Sequence, residues 1–430
     1  MIRLNVWIEI EATEHLAGTI EGNSTADASF RYAAEYIGRS GASPISLSLP
    51  LREEPFSPSA TKNYFDGLLP EGFTRRSVAG WIHSDENDYL SILRALGREC
   101  IGAVRISDEG EARMPSEAAY ERLSTEELSA LAAEGAARSS ELVTKSHLSL
   151  AGASGKAGVY RDPGTGDWYL PLGTAPSTHI IKQSHVRLDQ IVTNEQLVLM
   201  TARRLGIDTA ESFIINTGSA AESEVLLASG RYDRAFAEHP PFISGLPRPA
   251  RLHQEDFAQA MGIPSSEKYE GAGSSYIRDM FEILRTEAAD PIADQLKLWD
   301  TIVFNWLAGN TDAHIKNSSL LYSSDMKTLS LAPAYDMIST SVYDSSTRNM
   351  SMRIGSEISL DRINRNEFEA AAVEAGLGKR VALSRFDRLA EDFIPALKSA
   401  AEELEDLGFH KANSLSNRIL QSGGIAGCRR

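Results

Sequence analysis

The hydrophobic period of this 430-residue chain changes along its length, and that change limits its fold more than any other feature. Leu4, Val6 and Ile8 alternate with polar residues, as do Ile45, Leu47 and Leu49, which is the pattern of half-buried strands. The first part therefore reads as β-rich, with a helical DYLSILRALG at 88–97 and a strand CIGAVRI at 100–106. From 146 onward come the strand candidates SHLSL, KAGVY, WYL, THIIKQ, SFIIN and EVLLAS, interrupted by one helix, NEQLVLMTARRLGI at 194–207. After about 250 the period becomes helical, most clearly in PIADQLKLWDTIVFNWLAG, where Ile292, Leu296, Trp299, Val303 and Trp306 recur at helical spacing. An α/β (α+β) molecule of several parts is predicted, since one domain per ~150 residues gives two or three. The Ala- and Glu-rich stretch from Pro115 to Arg138, with Ser116 and Ser124 as helix caps, reads as short exposed helices at a boundary.

Charge and cysteine content narrow the function classes. Forty-three Lys and Arg against 59 Asp and Glu leave a net charge of −16, which opposes direct binding to a phosphate backbone. Nucleic-acid contact would need a basic partner or a local patch. Cys100 and Cys428 are the only cysteines and lie far apart, so neither a disulfide framework nor a cysteine-rich zinc site is expected. No run approaches ~18 uninterrupted apolar residues and no signal-peptide pattern opens the chain, so the cytoplasm and no membrane association are expected.

The stretch GNTDAHIKNSSLL at 309–321 places polar groups between an apolar helix-like run and an apolar strand-like run. Asp312 and Asn317 stand in the D-x-x-x-x-N spacing of a protein-kinase catalytic loop, where the Asp accepts the substrate hydroxyl proton and the Asn holds magnesium. Two strand-like segments, SSLLYS and LSLAP, follow around the turn-like SDMKT, and then comes Asp336. A second acid after such a hairpin would return to the first loop, and carboxylate and amide oxygens are the ligands that a hard cation takes. Asp336 otherwise reads as a turn acid after a proline-containing strand. His314 has no second histidine at zinc-like spacing and reads as a structural loop residue. Lys316 reads either as a cation that stabilises transferring phosphate charge or as a solvated loop lysine.

Upstream, SLAGASGKAGVY at 149–160 carries Gly152, Gly155 and Gly158 between two apolar runs. Backbone N–H groups there could approach phosphates closely, or the segment is a flexible hairpin turn. Lys182 ends the THIIKQ strand and Glu195 opens the next helix, the order of the kinase lysine–glutamate pair. Glu195 equally suits the positive end of a helix. RYDR at 231–234 reads either as a hinge element or as a surface charge cluster.

In order, YFDGLLPEGFTRR at 64–76, LGRECIGAVRI at 96–106, SLAGASGKA at 149–157, THIIKQ, NEQLVLMTARRLGI, RYDR, HQEDFAQAMGIPSSEKYE at 253–270, GNTDAHIKNSSLL and LAPAYDMIS resemble the HipA family. These are serine/threonine kinase toxins of bacterial toxin–antitoxin modules, and the likeness spans most of the chain. It implies a bilobal protein-kinase-like fold with an added β-rich N-terminal subdomain and a mostly helical C-terminal lobe. The implied parts are 1–112, facing an antitoxin; 113–248, carrying the Gly-rich loop; and 249–430, carrying the catalytic and metal-binding loops. It implies Asp312 as catalytic base with Lys316 beside it, and Asn317 and Asp336 as Mg²⁺ ligands. ATP would be bound by Lys182, Gly152, Ala153, Ser154, Gly155 and Glu195, and Ser149 matches the serine that family members autophosphorylate. The family commonly has Gln-Glu where this chain has Ser154-Gly155, which predicts a smaller, more flexible loop. The implied substrate is an aminoacyl-tRNA synthetase, notably glutamyl-tRNA synthetase, whose modification halts translation and produces growth arrest and drug tolerance. The implied partner is a HipB-like helix-turn-helix antitoxin, through which operator DNA would be reached. Two other functions fit the residues: a small-molecule or lipid kinase of the same fold, and an inert co-repressor in an antitoxin–DNA complex.

Overall fold

A computed structural model describes residues 2–109, 118–146, 156–183 and 188–429. The chain divides into two compact units, one formed by Met1–Gln183, Ile215–Ser265 and Leu321–Thr328, the other by Ser184–Ile214, Ser266–Leu320 and Leu329–Arg430.

The first unit opens with a four-stranded sheet in the order Ser29–Tyr32, Thr13–Gly22, Ile2–Ile10, Val104–Asp108. Leu4, Val6 and Ile8 all turn inward and are fully buried, as their alternation requires. Helices pack on it because their ends are satisfied locally: Ser57 caps Pro58–Gly67 and Asp88 caps Tyr89–Leu96, each accepting a backbone N–H. Ile45, Leu47 and Leu49 do not form a strand. Their segment is flanked by Pro44 and Pro50, and its polar groups turn to the buried Glu255. Glu255 accepts from Ser46 Oγ (2.5 Å), the Leu47 N–H (3.0 Å) and the Tyr322 hydroxyl (2.5 Å).

The unit's second sheet runs Ala119–Arg122, Trp168–Leu172, Lys156–Arg161, His179–Gln183, Val225–Gly230. One face carries Val159, Ile181 and Leu226, covered by Leu128 and Leu131 of the Thr125–Glu134 helix and Leu142 of the Ala136–Ser146 helix. The region read as exposed helices therefore contains a strand and a buried helical face. Ser124 does cap its helix, in a capping box with Glu127, whereas Ser116 lies outside the described residues.

RYDR is not a surface charge cluster, because its charged side chains are buried. Glu99 accepts from Arg231 (3.2 Å), Arg234 (2.7 Å) and Arg251 (2.5 Å), while Asp233 also pairs with Arg231 (2.7 Å). Burial alone would raise the Glu99 carboxyl, but these guanidiniums hold it down at about 2. Removing one member of such a buried set strands the others' charge, at a cost of roughly 3–5 kcal/mol.

The second unit is mainly helical, with helices Ile191–Arg204, Tyr276–Glu287, Pro291–Ala308, Arg365–Glu374, Lys379–Asp406 and Ala412–Ser422. Its aromatic core centres on Phe368, whose ring lies 5.9 Å from Trp299, 5.2 Å from Trp306 and 4.8 Å from Phe386. Trp299, Val303 and Trp306 are buried as their spacing predicts, but Ile292 is 74% exposed. It stands in the first turn, where Pro291 and the Asp290 cap start the helix before it reaches the core. No described helix is long and apolar enough to cross a membrane.

Candidate active site

Within the second unit the site begins where the Pro291–Ala308 helix stops. Gly309 ends it at φ +72°, and a Cβ there would meet Ser341 Oγ at 2.0 Å, so glycine is required both by conformation and by space. The loop beyond is held by its own polar residues. The Asn310 side chain accepts the Asp312 N–H (3.2 Å) and donates to Asn305 (2.9 Å), and Thr340 Oγ1 accepts the Thr311 N–H (2.7 Å). His314 leads into a short 3₁₀ turn, Ile315–Asn317, and is buried, as a structural loop residue should be.

Asp312 is half-buried, and its Oδ1 accepts the Tyr269 hydroxyl at 2.6 Å. Asn317 Nδ2 donates to the Asp312 carbonyl (2.9 Å), which fixes the amide and leaves Oδ1 as its acceptor atom. Lys316 is only 7% exposed, so it is not a solvated loop lysine.

Asp336 follows the Leu329–Leu331 strand, and Ala332 N–H pairs with Ser319 O (2.9 Å). The Tyr335 hydroxyl lies 2.6 Å from Ser319 Oγ and donates to the Lys316 carbonyl at 3.0 Å. The residue before Asp336 is thereby fastened to the loop that carries Lys316 and Asn317. Asp336 itself has φ +56°, a left-handed conformation that costs a non-glycine residue roughly 1–2 kcal/mol. Such outliers persist where surrounding structure holds them, often at working sites.

Asn194, absent from the sequence reading, is fully buried, and its amide brackets Ser339, accepting its N–H (3.0 Å) and donating to its carbonyl (2.9 Å). The helix bearing Glu195 is thus tied to the segment just after Asp336. Glu195 is 6% exposed in a helix that begins at Ile191, so it lies beyond the first turn and does not serve the helix end.

In the first unit Lys182 is 9% exposed on the His179–Gln183 strand. It stands directly opposite Lys156 on one side and Leu227 on the other. Residues opposite each other in register share a face, so the lysines project to the same side, away from the Ile181 face. Lys156 was not singled out from the sequence, because only the register brings it to Lys182. Ser149, Gly152, Ala153, Ser154 and Gly155 lie outside the described residues.

The carboxylate of Asp336 and the amide oxygen of Asn317 are hard oxygen donors, of the type that suits Mg²⁺ rather than zinc. Among the described residues no group of three or more His, Cys, Asp or Glu side chains is placed to hold a metal.

A loop with kinase-type spacing, fastened to a following acid, belongs to a protein of kinase-like fold. The model of the HipA-like C-terminal domain matches residues 148–397, and that of the HipA N-terminal domain matches 5–107. The chain belongs to the HipA family. It is 32% identical over 430 residues to a Sinorhizobium fredii protein named provisionally as a kinase, Y4mE, covering 96% of this chain and 97% of that one. It is 25% identical over 436 residues to the serine/threonine-protein kinase toxin HipA of Shewanella oneidensis, covering 98% of this chain and 95% of that one. The solved complex of Shewanella HipA, HipB and operator DNA shares the fold, with a TM-score of 0.77 at 23% identity over 99% of both chains.

Proposed function

We propose that the chain is an ATP- and Mg²⁺-dependent serine/threonine protein kinase that acts as the toxin of a toxin–antitoxin module. The observation that carries the reading is the Tyr335 hydroxyl bonded to the Lys316 carbonyl, which keeps Asp336 beside the Asp312–Asn317 loop. Asp312 takes the acceptor hydroxyl's proton as that oxygen attacks the γ-phosphorus, and the bond from the γ-phosphorus to the β,γ-bridging oxygen breaks to release ADP. Lys316, buried in the same loop, offsets charge on the transferring phosphoryl group. Lys182, with Lys156 opposite it, binds the nucleotide phosphates along with Gly152, Ala153, Ser154 and Gly155, and Glu195 is a further ATP-binding residue. Asn317 and Asp336 would hold Mg²⁺, which when bound neutralises phosphate charge.

The acceptor is an aminoacyl-tRNA synthetase, with glutamyl-tRNA synthetase the first candidate. Autophosphorylation at Ser149 would add roughly −1.5 to −2 charges beside a phosphate-binding loop and so switch the enzyme off. Residues 1–112 face a HipB-like antitoxin; 113–248 carry the nucleotide loop and 249–430 the catalytic one. The solved complex of a family member with HipB and operator DNA supports such a partner, and an acidic kinase would reach DNA through it. The test is phosphate transfer from labelled ATP to purified glutamyl-tRNA synthetase. Label that requires Mg²⁺ and is lost in Lys182→Met supports the reading; no label on any synthetase removes the proposed substrate class.

A further inference from the structure

The catalytic-loop carboxylate already has a hydroxyl on it. Tyr269 O–H donates to Asp312 Oδ1 at 2.6 Å, while the residue as a whole is 50% exposed. Its ring meets His314 edge-on, with centroids 5.3 Å apart at 84°, and the Lys268 ammonium lies 5.5 Å from its centroid.

The segment that delivers Tyr269 is anchored on both sides. Glu267 O accepts the Tyr276 hydroxyl (2.6 Å). Glu270 donates its N–H to Ser351 O (2.9 Å) and accepts the Arg353 N–H (2.6 Å) and guanidinium (2.7 Å). The phenol therefore reaches Asp312 from a fixed backbone, and the side chain alone is exposed enough to swing.

We propose that Tyr269 is an internal stand-in for the acceptor hydroxyl, occupying the subsite on Asp312 that a substrate serine or threonine must take. This rests on the reading of Asp312 as the base. An alcohol acceptor must donate its O–H to that carboxylate before attack, and Tyr269 presents the same functional group to it. A donor kept in place through the reaction would stabilise the charged carboxylate and make it a poorer base. The phenol therefore has to leave, and its exposed ring lets it leave cheaply. An acceptor is selected by its ability to displace the phenol, which a hydroxyl held in a docked protein does far better than water. Tyr269 thus sets specificity, favouring docked protein hydroxyls and suppressing wasteful ATP hydrolysis.

The test compares wild type, Tyr269→Phe, Tyr269→Ala and Asp312→Asn, using histone H1 as a generic serine-bearing acceptor and water as the competing one. Phe keeps the ring and removes the hydroxyl, and thermal melts establish that each variant is folded. Expected for Tyr269→Phe is a fall in KM for histone H1 and a rise in ATP hydrolysis, each roughly three- to tenfold, the range of one net hydrogen bond, with KM for ATP unchanged. Tyr269→Ala should move in the same direction. A lower kcat with unchanged KM for histone H1, or no change in either readout, would overturn the stand-in role. Should Asp312→Asn retain wild-type transfer and ATP hydrolysis, or wild type show neither, the underlying base assignment fails instead.

Discussion

The Asn194 side chain grips Ser339 through both backbone polar groups, accepting its N–H at 3.0 Å and donating to its carbonyl at 2.9 Å. The Ile191–Arg204 helix and the segment after Asp336 therefore hold one another in a fixed register, even though 145 residues separate the pair. Truncation would leave two buried backbone groups unpaired.

Asn194→Ala is accordingly expected to lower unfolding free energy by about 2 kcal/mol, within the range for stranding buried polar partners. Urea denaturation checks this. In Mg²⁺ titrations of the variant the half-saturating concentration should rise, because Asp336 loses a nearby restraint.

Glu255 predicts a pH dependence of stability. Burial pushes its carboxyl up to about 7, against the hydrogen bonds from Ser46, Tyr322 and Leu47 that favour the charged form; Asp256 nearby adds to the rise. A carboxyl whose folded pKa exceeds its unfolded value of 4.5 stabilises the fold fully below pH 4.5 and loses that contribution as pH climbs through 7. Glu255→Gln should remove this slope, since Oε1 can accept from Leu47 and Tyr322 while Nε2 donates to Ser46 Oγ. Denaturant midpoints across pH 4.5 to 8 should show the variant gaining on wild type by a few kcal/mol as an upper bound, with most of the gain by about pH 7.

How much of this was legible in the sequence depended on range. Asp312 and Asn317 could be read because their spacing lies within one loop, and Asp336 because a single hairpin separates it from them. Tyr269 and Asn194 could not, since their partners are 43 and 145 residues away and their own neighbourhoods carry no catalytic pattern. Lys156 was visible as a lysine after glycines, yet only the strand register puts it opposite Lys182. The false strand at 45–49 shows the converse: alternation there was real, but Glu255, far along the chain, took its hydrogen bonds. Ile292 failed for a related reason, because periodicity does not say where along a helix the core begins.

Nucleotide binding should pass through Lys182. Ligand that binds only the folded state raises the melting temperature by mass action, so Mg·ATP should stabilise wild type. Lys182→Met should lose most of that stabilisation, with ATP affinity down about tenfold, equivalent to ~1.4 kcal/mol. Lys156→Met should act in the same direction. Differential scanning fluorimetry with and without Mg·ATP reads both.

The most direct measurement is the intact mass of the purified chain, dephosphorylated and then incubated with ATP and Mg²⁺, beside Asp312→Asn. The account predicts a single added phosphate in wild type, mapping to Ser149, and none in the variant. Equal phosphate uptake by both proteins would contradict Asp312 as the base, and absence of phosphate from wild type, from itself and from added synthetases, would contradict phosphoryl transfer altogether.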